Sequence, residues 1–204
     1  MSNEAINDLK EIRKLMEHSS KFISVSGLSA IFAGVTALVG AGVAYFKLGL
    51  SPGKDLGYAY TTDLNTVSFM VTDAVLILIV AGIFGLLFTW RKARKQGQSL
   101  WTTSSRQLLL DFCFPLAVGG FFCIFLYANG FIGLMAPSML IFYGLSLVNA
   151  SHKTLSDVRY LGYCQVILGC LNLLLIGFGF LFWCLGFGVL HIVYGSIMYF
   201  KYER

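Results

Sequence analysis

Long apolar stretches separated by short polar segments dominate this chain. An α-helix needs about 20 apolar residues to cross the ~30 Å hydrocarbon core of a bilayer. Six stretches approach or exceed that length, and the last is the shortest: 22–46, 67–90, 108–128, 131–149, 160–181 and 184–200. The pattern predicts an all-α polytopic membrane protein with six transmembrane helices. We expect residues 1–204 to form a single membrane domain, with the six-helix bundle at 22–200.

A short amphipathic helix is predicted before the first span, over residues 1–20. Its apolar positions Ala5, Leu9, Ile12 and Met16 are spaced four, three and four apart, and charged residues occupy the rest. Such spacing puts one apolar stripe on a helix. We expect it to lie on the inner leaflet. The alternative is that it docks a soluble partner, which would make the protein a non-catalytic membrane subunit.

Basic residues define the orientation of the predicted spans. Of the 15 lysines and arginines, only Lys47 and Lys54 fall on one side, and the other 13 fall on the opposite side. Cytoplasmic loops are enriched in Lys and Arg. Both termini are therefore predicted to be cytoplasmic, in a multi-pass membrane protein.

Composition argues against a soluble or nucleic-acid-binding protein. The chain is 57% hydrophobic and 12% charged, and its net charge of +5 comes from residues at the ends of apolar runs. That distribution reflects membrane topology rather than a nucleic-acid surface. No two of the five cysteines are spaced as a C-x-x-C motif. We predict no metal site, no cofactor and no nucleic-acid partner.

Three segments of similar sequence indicate an internal repeat. GIFGLLFTWRKAR, IFYGLSLVNASHK and IVYGSIMYFKYER each place an aromatic residue before a glycine and basic residues after it. The pattern predicts three tandem helical hairpins that enter and leave on the cytoplasmic side. The alternative is that cytoplasmic helix ends share an aromatic-then-basic composition.

Small residues recur along the first span. Ala33, Ala37 and Ala41 form one row, and Ala30 and Gly34 form another. Small residues four apart allow helix backbones to approach closely in lipid. We favour packing within the bundle, and self-association of two copies through this face is the alternative.

The polar side chains inside the spans are the candidates for a functional site. Gln165 and Asn172 share one face of the fifth span, and His191 lies in the sixth. With the outer turn placed near Phe182 and Trp183, Asn172 and His191 fall at similar depth. We therefore predict an interhelical hydrogen bond between Asn172 and an uncharged His191, because burial favours the neutral ring. A proton-carrying His191 in a cavity is the alternative.

A polar stripe opens the second span, at Asn65, Ser68, Thr72 and Asp73. A polar stripe on a membrane helix lines a wet vestibule or packs on other polar groups. Thr72 and Asp73 are therefore candidate ligand-contacting or proton-linked residues. Counted from the basic residues at the inner boundary, Asp73 lies near the outer surface, too far from His191 for direct pairing.

No catalytic centre is predicted. A histidine in the sixth of six spans invites comparison with rhomboid proteases, but GLSL lacks the second glycine of their G-x-S-G motif and lies at the cytoplasmic end. The strings SGLSAIFAG, NASHKTLSDVRYLG and GFGVLHIVYG resemble those of uncharacterised bacterial six-span inner-membrane proteins. That resemblance implies a bacterial inner membrane and no activity. We predict a non-enzymatic protein that binds, moves or senses a small molecule or ion between the second, fifth and sixth spans. A membrane-embedded enzyme is the weaker alternative.

Overall fold

The computed structural model describes residues 26–49, 64–95, 97 and 101–204, with no side-chain description at 64–67. Helices α1 to α5 cover Gly27–Leu48, Leu64–Lys95, Thr103–Ala128, Met135–Ala150 and Val158–Leu174. A 3-10 turn at Ile132–Leu134 precedes α4. Helix α6, Gly179–Tyr202, contains an α-helical start, a π-helical segment at Cys184–Leu190 and an α-helical end from His191. The described residues include no strand.

Five of these helices are long and apolar enough to cross a membrane: α1, α2 from Ser68 onward, α3, α4 with its preceding 3-10 turn, and α6. Helix α5 is apolar but has only 17 residues. These apolar helices indicate a multi-pass membrane protein. Six spans and three hairpins stay a prediction. The predicted helix at 1–20 lies outside the described residues, and the loop at 50–63 does as well.

The turn between the last two helices differs from the prediction. Helix α5 ends at Leu174 and α6 begins at Gly179, so the turn lies at 175–178 rather than near Phe182 and Trp183. Gly177 has a φ of 108°, a backbone conformation that glycine adopts far more readily than other residues. As a result the fifth helix is the short one and the sixth is long, the reverse of the predicted lengths.

Helix α6 joins the two parts of the bundle. Helix α1 packs against α2 on one side and along α6 on the other, while α4 packs against α3, α5 and the start of α6. Helix α5 packs more extensively on α4 than on α6, although α5 and α6 are neighbours in sequence. The two groups, α1 with α2 and α3 with α4 and α5, meet mainly through α6.

Glycines form the closest helix crossings. A Cβ atom at Gly34 would lie 2.6 Å from the carbonyl oxygen of Gly188, so α1 and α6 approach too closely for any side chain there. Similar pairs join α1 to α6 at Gly27 and Gly195, and α4 to α5 at Gly144 and Gly162. Backbone packing at small residues is the favoured interface in lipid. The small-residue face of the first span therefore packs inside the molecule.

Two of the three glycines of the internal repeat lie at these close helix crossings. Its glycines are Gly85, Gly144 and Gly195. Gly144 and Gly195 each lie at a close crossing with another helix, whereas a Cβ at Gly85 would meet nothing within 4 Å. Two of the three repeated positions thus serve the same packing role.

Two carboxylates hold helix ends together at one end of the bundle. Glu203 accepts hydrogen bonds from the Gly27 amide (2.6 Å), the Ser26 hydroxyl (3.1 Å) and the Lys92 ammonium (3.1 Å). It therefore connects the start of α1 with the ends of α2 and α6. A carboxylate at a helix N-terminus also interacts favourably with the helix dipole.

The second carboxylate, Asp157, lies immediately before α5. Its Oδ2 accepts hydrogen bonds from the Lys201 ammonium (2.7 Å) and the Tyr202 hydroxyl (2.8 Å) at the end of α6. The Lys201 bond is the main cause that holds the pKa of Asp157 below its usual range, and the Tyr202 bond adds to it. The two carboxylates place the starts of α1 and α5 beside the ends of α2 and α6.

Candidate functional site

The structure brings together two of the five predicted site residues and adds a third that the sequence did not indicate. His191 and Gln165 meet between α5 and α6, and Tyr143 of α4 completes the group. His191 is 5% exposed and Gln165 is fully buried. Asn172, Thr72 and Asp73 lie elsewhere. We call Tyr143, Gln165, Gly186 and His191 the polar cluster.

The contacts of His191 define its tautomer. Its Nδ1 lies 2.9 Å from the Gly186 carbonyl oxygen, and its Nε2 lies 2.7 Å from the Tyr143 hydroxyl. A carbonyl oxygen only accepts, so Nδ1 carries the proton and donates. In the neutral ring Nε2 then accepts from Tyr143. Both ring nitrogens are satisfied, which stabilises the neutral form in a buried site.

The predicted Asn172–His191 hydrogen bond is wrong. The Asn172 amide nitrogen instead donates to the Leu175 carbonyl oxygen at 3.3 Å, at the C-terminal end of α5. The depth comparison failed because the turn lies at 175–178. Asn172 is three residues before this turn and His191 is 12 residues after Gly179, an axial offset of about 13 Å. Gln165, a further seven residues back, is the residue level with His191.

Two buried amide oxygens on α5 have no hydrogen-bond partner among the described residues. They are Gln165 Oε1 and Asn172 Oδ1. The Gln165 Nε2 atom, by contrast, donates to the Gly186 carbonyl oxygen at 2.8 Å, which fixes the direction of the side chain. A buried acceptor left unpaired costs about 1–3 kcal/mol. An unpaired acceptor in a membrane helix is therefore a candidate ligand contact.

Gly186 allows this cluster to form. A Cβ atom there would lie 2.6 Å from Gln165 Oε1 and would also collide with Leu140. Gly186 belongs to the π-helical segment Cys184–Leu190, and its carbonyl oxygen receives both Gln165 and His191. Short π-helical segments often occur at functional sites, because they redirect backbone groups that a regular helix would use internally.

Aromatic rings enclose the histidine. The Phe187 ring stacks with His191 at a centroid distance of 6.1 Å, and Tyr143 packs against Phe187 at 5.1 Å. Phe112 of α3 closes the far side of Tyr143 at 5.9 Å. Tyr143 was visible in the sequence only as the aromatic residue before the repeated glycine. Its helical neighbours gave no indication that its hydroxyl points to His191.

Thr72 and Asp73 are not part of the polar cluster. The Thr72 hydroxyl donates to the Ser68 carbonyl oxygen at 2.7 Å in its own helix, and Thr72 is exposed. Asp73 is half-buried on α2 and faces α1, with its Oδ1 near Gly40. Helix α2 packs on α1, and α1 separates it from the cluster. A role for these two residues stays a prediction.

The chemistry of the cluster is that of hydrogen bonding and proton exchange. Within the described residues, no three His, Cys, Asp or Glu side chains come together in a way that could hold a metal ion. The cluster offers an acceptor oxygen on Gln165, a phenol and an imidazole. Such groups can bind a solute that donates hydrogen bonds, and they can take up or release a proton at His191.

Comparison with known proteins finds no matching family model, no match among curated proteins and no matching solved structure.

Proposed function

We propose that this protein is an integral membrane protein that binds a small molecule or ion in its interior, as a carrier or a sensor. The binding surface in this proposal is the face of α5 that carries Gln165 and Asn172, closed by α4 and α6. This replaces the site predicted between the second, fifth and sixth helices, because α2 lies on the far side of α1.

One observation carries the proposal: two buried amide oxygens on one helix face lack a partner among the described residues. Both are acceptors, so the solute they favour is a hydrogen-bond donor. Gln165 and Asn172 are seven residues apart, about 10 Å along the helix axis. A small solute therefore binds at one oxygen at a time, and the pair gives two positions along one path.

The proposed orientation has both termini in the cytoplasm of a bacterium. The strong imbalance of lysine and arginine between the two sides supports it. The Glu203 and Asp157 contacts add support, because they gather at one end the helix ends that the charge pattern assigns to the cytoplasm.

A thermal-stability titration of the purified protein tests the proposal. The probes are ammonium, methylammonium and formamide, and tetramethylammonium is the control because it has no N–H donor. A donor that binds should stabilise the protein by about 2.7 kcal/mol at 100 times its Kd, and tetramethylammonium should have no such effect.

Substitution of Gln165 sharpens this test. Gln165→Met removes the unpaired oxygen together with one bond to Gly186, whose carbonyl oxygen keeps its bond from His191. We expect the unliganded variant to be as stable as the wild type or more stable, and to lose the response to the donor probes. Gln107→Met on the exposed side of α3 is the matched control and should keep that response. The proposal is wrong if no probe stabilises the wild type, or if Gln165→Met responds as the wild type does.

A further inference from the structure

The two contacts of His191 fit the ring with or without a second proton. The Gly186 carbonyl oxygen, 2.9 Å from Nδ1, only accepts hydrogen bonds. The Tyr143 hydroxyl, 2.7 Å from Nε2, both donates and accepts. If the hydroxyl hydrogen turns away from the ring, Nε2 changes from acceptor to donor while every heavy atom stays in place. The neutral ring and the imidazolium therefore use the same two contacts.

Gln165 connects this ring to the binding surface proposed above. Its Nε2 lies 3.5 Å from His191 Nδ1 and donates to the same Gly186 carbonyl oxygen at 2.8 Å. Because Nε2 and Oε1 belong to one amide group, the unpaired Oε1 lies within about 6 Å of Nδ1. A donor atom bound to Oε1 at about 2.9 Å is then within about 9 Å of Nδ1.

Few titratable side chains lie near His191. Helix α4 carries one, Tyr143, which contacts the ring. On α6 itself the nearest are Tyr194 and Cys184, and neither forms a hydrogen bond with the ring. The groups in direct contact with His191 on these two helices are therefore a phenol and a backbone carbonyl, both uncharged.

Helices α5 and α1 place no charge against the ring either. On α5, Arg159 points to Ser151 and His152. The other titratable side chains of α5 are exposed: Tyr160, Tyr163, Cys164 and Cys170. Helix α1 carries Tyr45 and Lys47, both near its C-terminal end and beyond its crossing with α6. No described carboxylate pairs with the histidine, so a second positive charge near the ring would not be neutralised.

We propose that the solute bound at Gln165 is a small cation with N–H donors, of the ammonium class, which exchanges with a proton on His191. This inference rests on the proposed function and adds the charge of the solute and its coupling to pH. A charged donor forms a bond about twice as strong as a neutral one. When the cation binds, the imidazolium releases its Nε2 proton to water and the Tyr143 hydroxyl again donates to Nε2. The interior thus holds one positive charge before and after the exchange.

The strength of this coupling follows from the distance. Two unit charges about 9 Å apart, at an effective dielectric constant of about 20, repel enough to weaken binding about 20-fold. A neutral donor at the same oxygen experiences no such repulsion. By linkage, the bound cation disfavours the proton by the same factor.

Binding of two matched probes at two pH values tests the exchange. Methylammonium stays charged and formamide stays neutral between about pH 5 and about pH 8, the range in which histidine responds. Thermal-stability titrations of the purified protein give the Kd of each probe. We expect the Kd of methylammonium to be about 20-fold higher at the acidic end of this range than at the basic end. The Kd of formamide should be the same at both.

Substitution of the histidine identifies the group that titrates. His191→Asn removes the ring but keeps a side-chain amide that can donate to the Gly186 carbonyl oxygen. The ratio of the two methylammonium Kd values should then fall from about 20 to about 1, at whatever absolute affinity the variant has. His18→Gln/His152→Gln, which removes the other two histidines of the chain, is the matched control and should keep the wild-type ratio.

A measurement on the wild type keeps the test independent of the folding of any variant. Calorimetry in buffers of different ionisation enthalpy counts the protons released on binding. At the acidic end of the range, methylammonium should release up to about one proton and formamide should release none. The exchange is overturned if methylammonium releases no proton, if the two probes respond alike to pH, or if His191→Asn keeps the wild-type ratio. If neither probe binds, the proposed function fails with it, whereas binding of formamide together with any of those results overturns the exchange alone.

Discussion

Removal of the Glu203 carboxylate should destabilise the packing of three helix ends at once. The side chain is 12% exposed and accepts from Ser26, Gly27 and Lys92. A hydrogen bond to a charged group contributes about 1.5–3 kcal/mol. A carboxylate at a helix N-terminus contributes about 0.3–2 kcal/mol. These contributions share one carboxylate and are not additive.

We therefore expect Glu203→Ala to lower the free energy of unfolding by about 2–4 kcal/mol. Glu203→Gln keeps one acceptor oxygen and should lose about half as much. Equilibrium unfolding in mixed micelles, with increasing denaturing detergent, measures both values. Arg204→Gln, a change at the exposed neighbouring residue, should stay within about 1 kcal/mol of the wild type.

A double-mutant cycle separates the shared contact from a general effect of charge. Ser26→Ala alone should cost about 1.5–3 kcal/mol, because it removes one hydrogen bond to the charged carboxylate. Combined with Glu203→Ala, the same change should add almost nothing. If Glu203→Ala stays within about 0.5 kcal/mol of the wild type, the contact does not hold these helix ends together and the reasoning fails.

Three further predictions concern packing, pH and orientation. Gly34→Ala should destabilise the bundle by about 1–3 kcal/mol through a backbone collision, whereas Gly42→Ala, which meets nothing within 4 Å, should be neutral or stabilising in the same detergent titration. The ion pair with Lys201 lowers the folded-state pKa of Asp157, so its contribution to the free energy of unfolding should be present at neutral pH and lost as the pH falls below about 4. This contribution is under about 1 kcal/mol for a surface pair, and Asp157→Asn should remove the pH dependence. Asp55→Cys, in a variant without the five native cysteines, should react with an impermeant reagent in intact cells, and absence of labelling would reverse the proposed orientation.

The helices were predictable from sequence because apolar length alone identifies them. The predicted stretches at 67–90, 108–128 and 131–149 lie within a few residues of α2, α3 and α4. The position of the last turn was not predictable in this way, because the sequence is apolar on both sides of it. Gly177 and Gly179 are the turn signal in this stretch, and they outweigh the aromatic pair Phe182 and Trp183.

The site was partly predictable for a related reason. Burial of His191 and Gln165 follows from polar residues placed mid-helix, which face the interior of a membrane bundle. Their partners depend on the axial alignment of α5 and α6, so the error in the turn moved the prediction from Gln165 to Asn172. The Tyr143 and Glu203 contacts join residues 48 and 176 positions apart, and no local pattern encodes such pairings.

The position of α6 between the two parts of the bundle has a consequence for biosynthesis. Helix α1 is the first of the described helices to leave the ribosome, and α6, with which it makes extensive contacts, is the last. Until α6 is inserted, the α1–α2 pair and the α3–α4–α5 group have little to hold them together. The surface of α1 around Gly27 and Gly34, which α6 covers in the folded protein, stays exposed to lipid until the five later helices have been made. The bundle is therefore completed late, since contacts distant in sequence form late. In a nascent chain that stalls before α6, the α1–α2 pair and the α3–α4–α5 group are not packed together, and such a chain is a substrate for membrane-protein quality control.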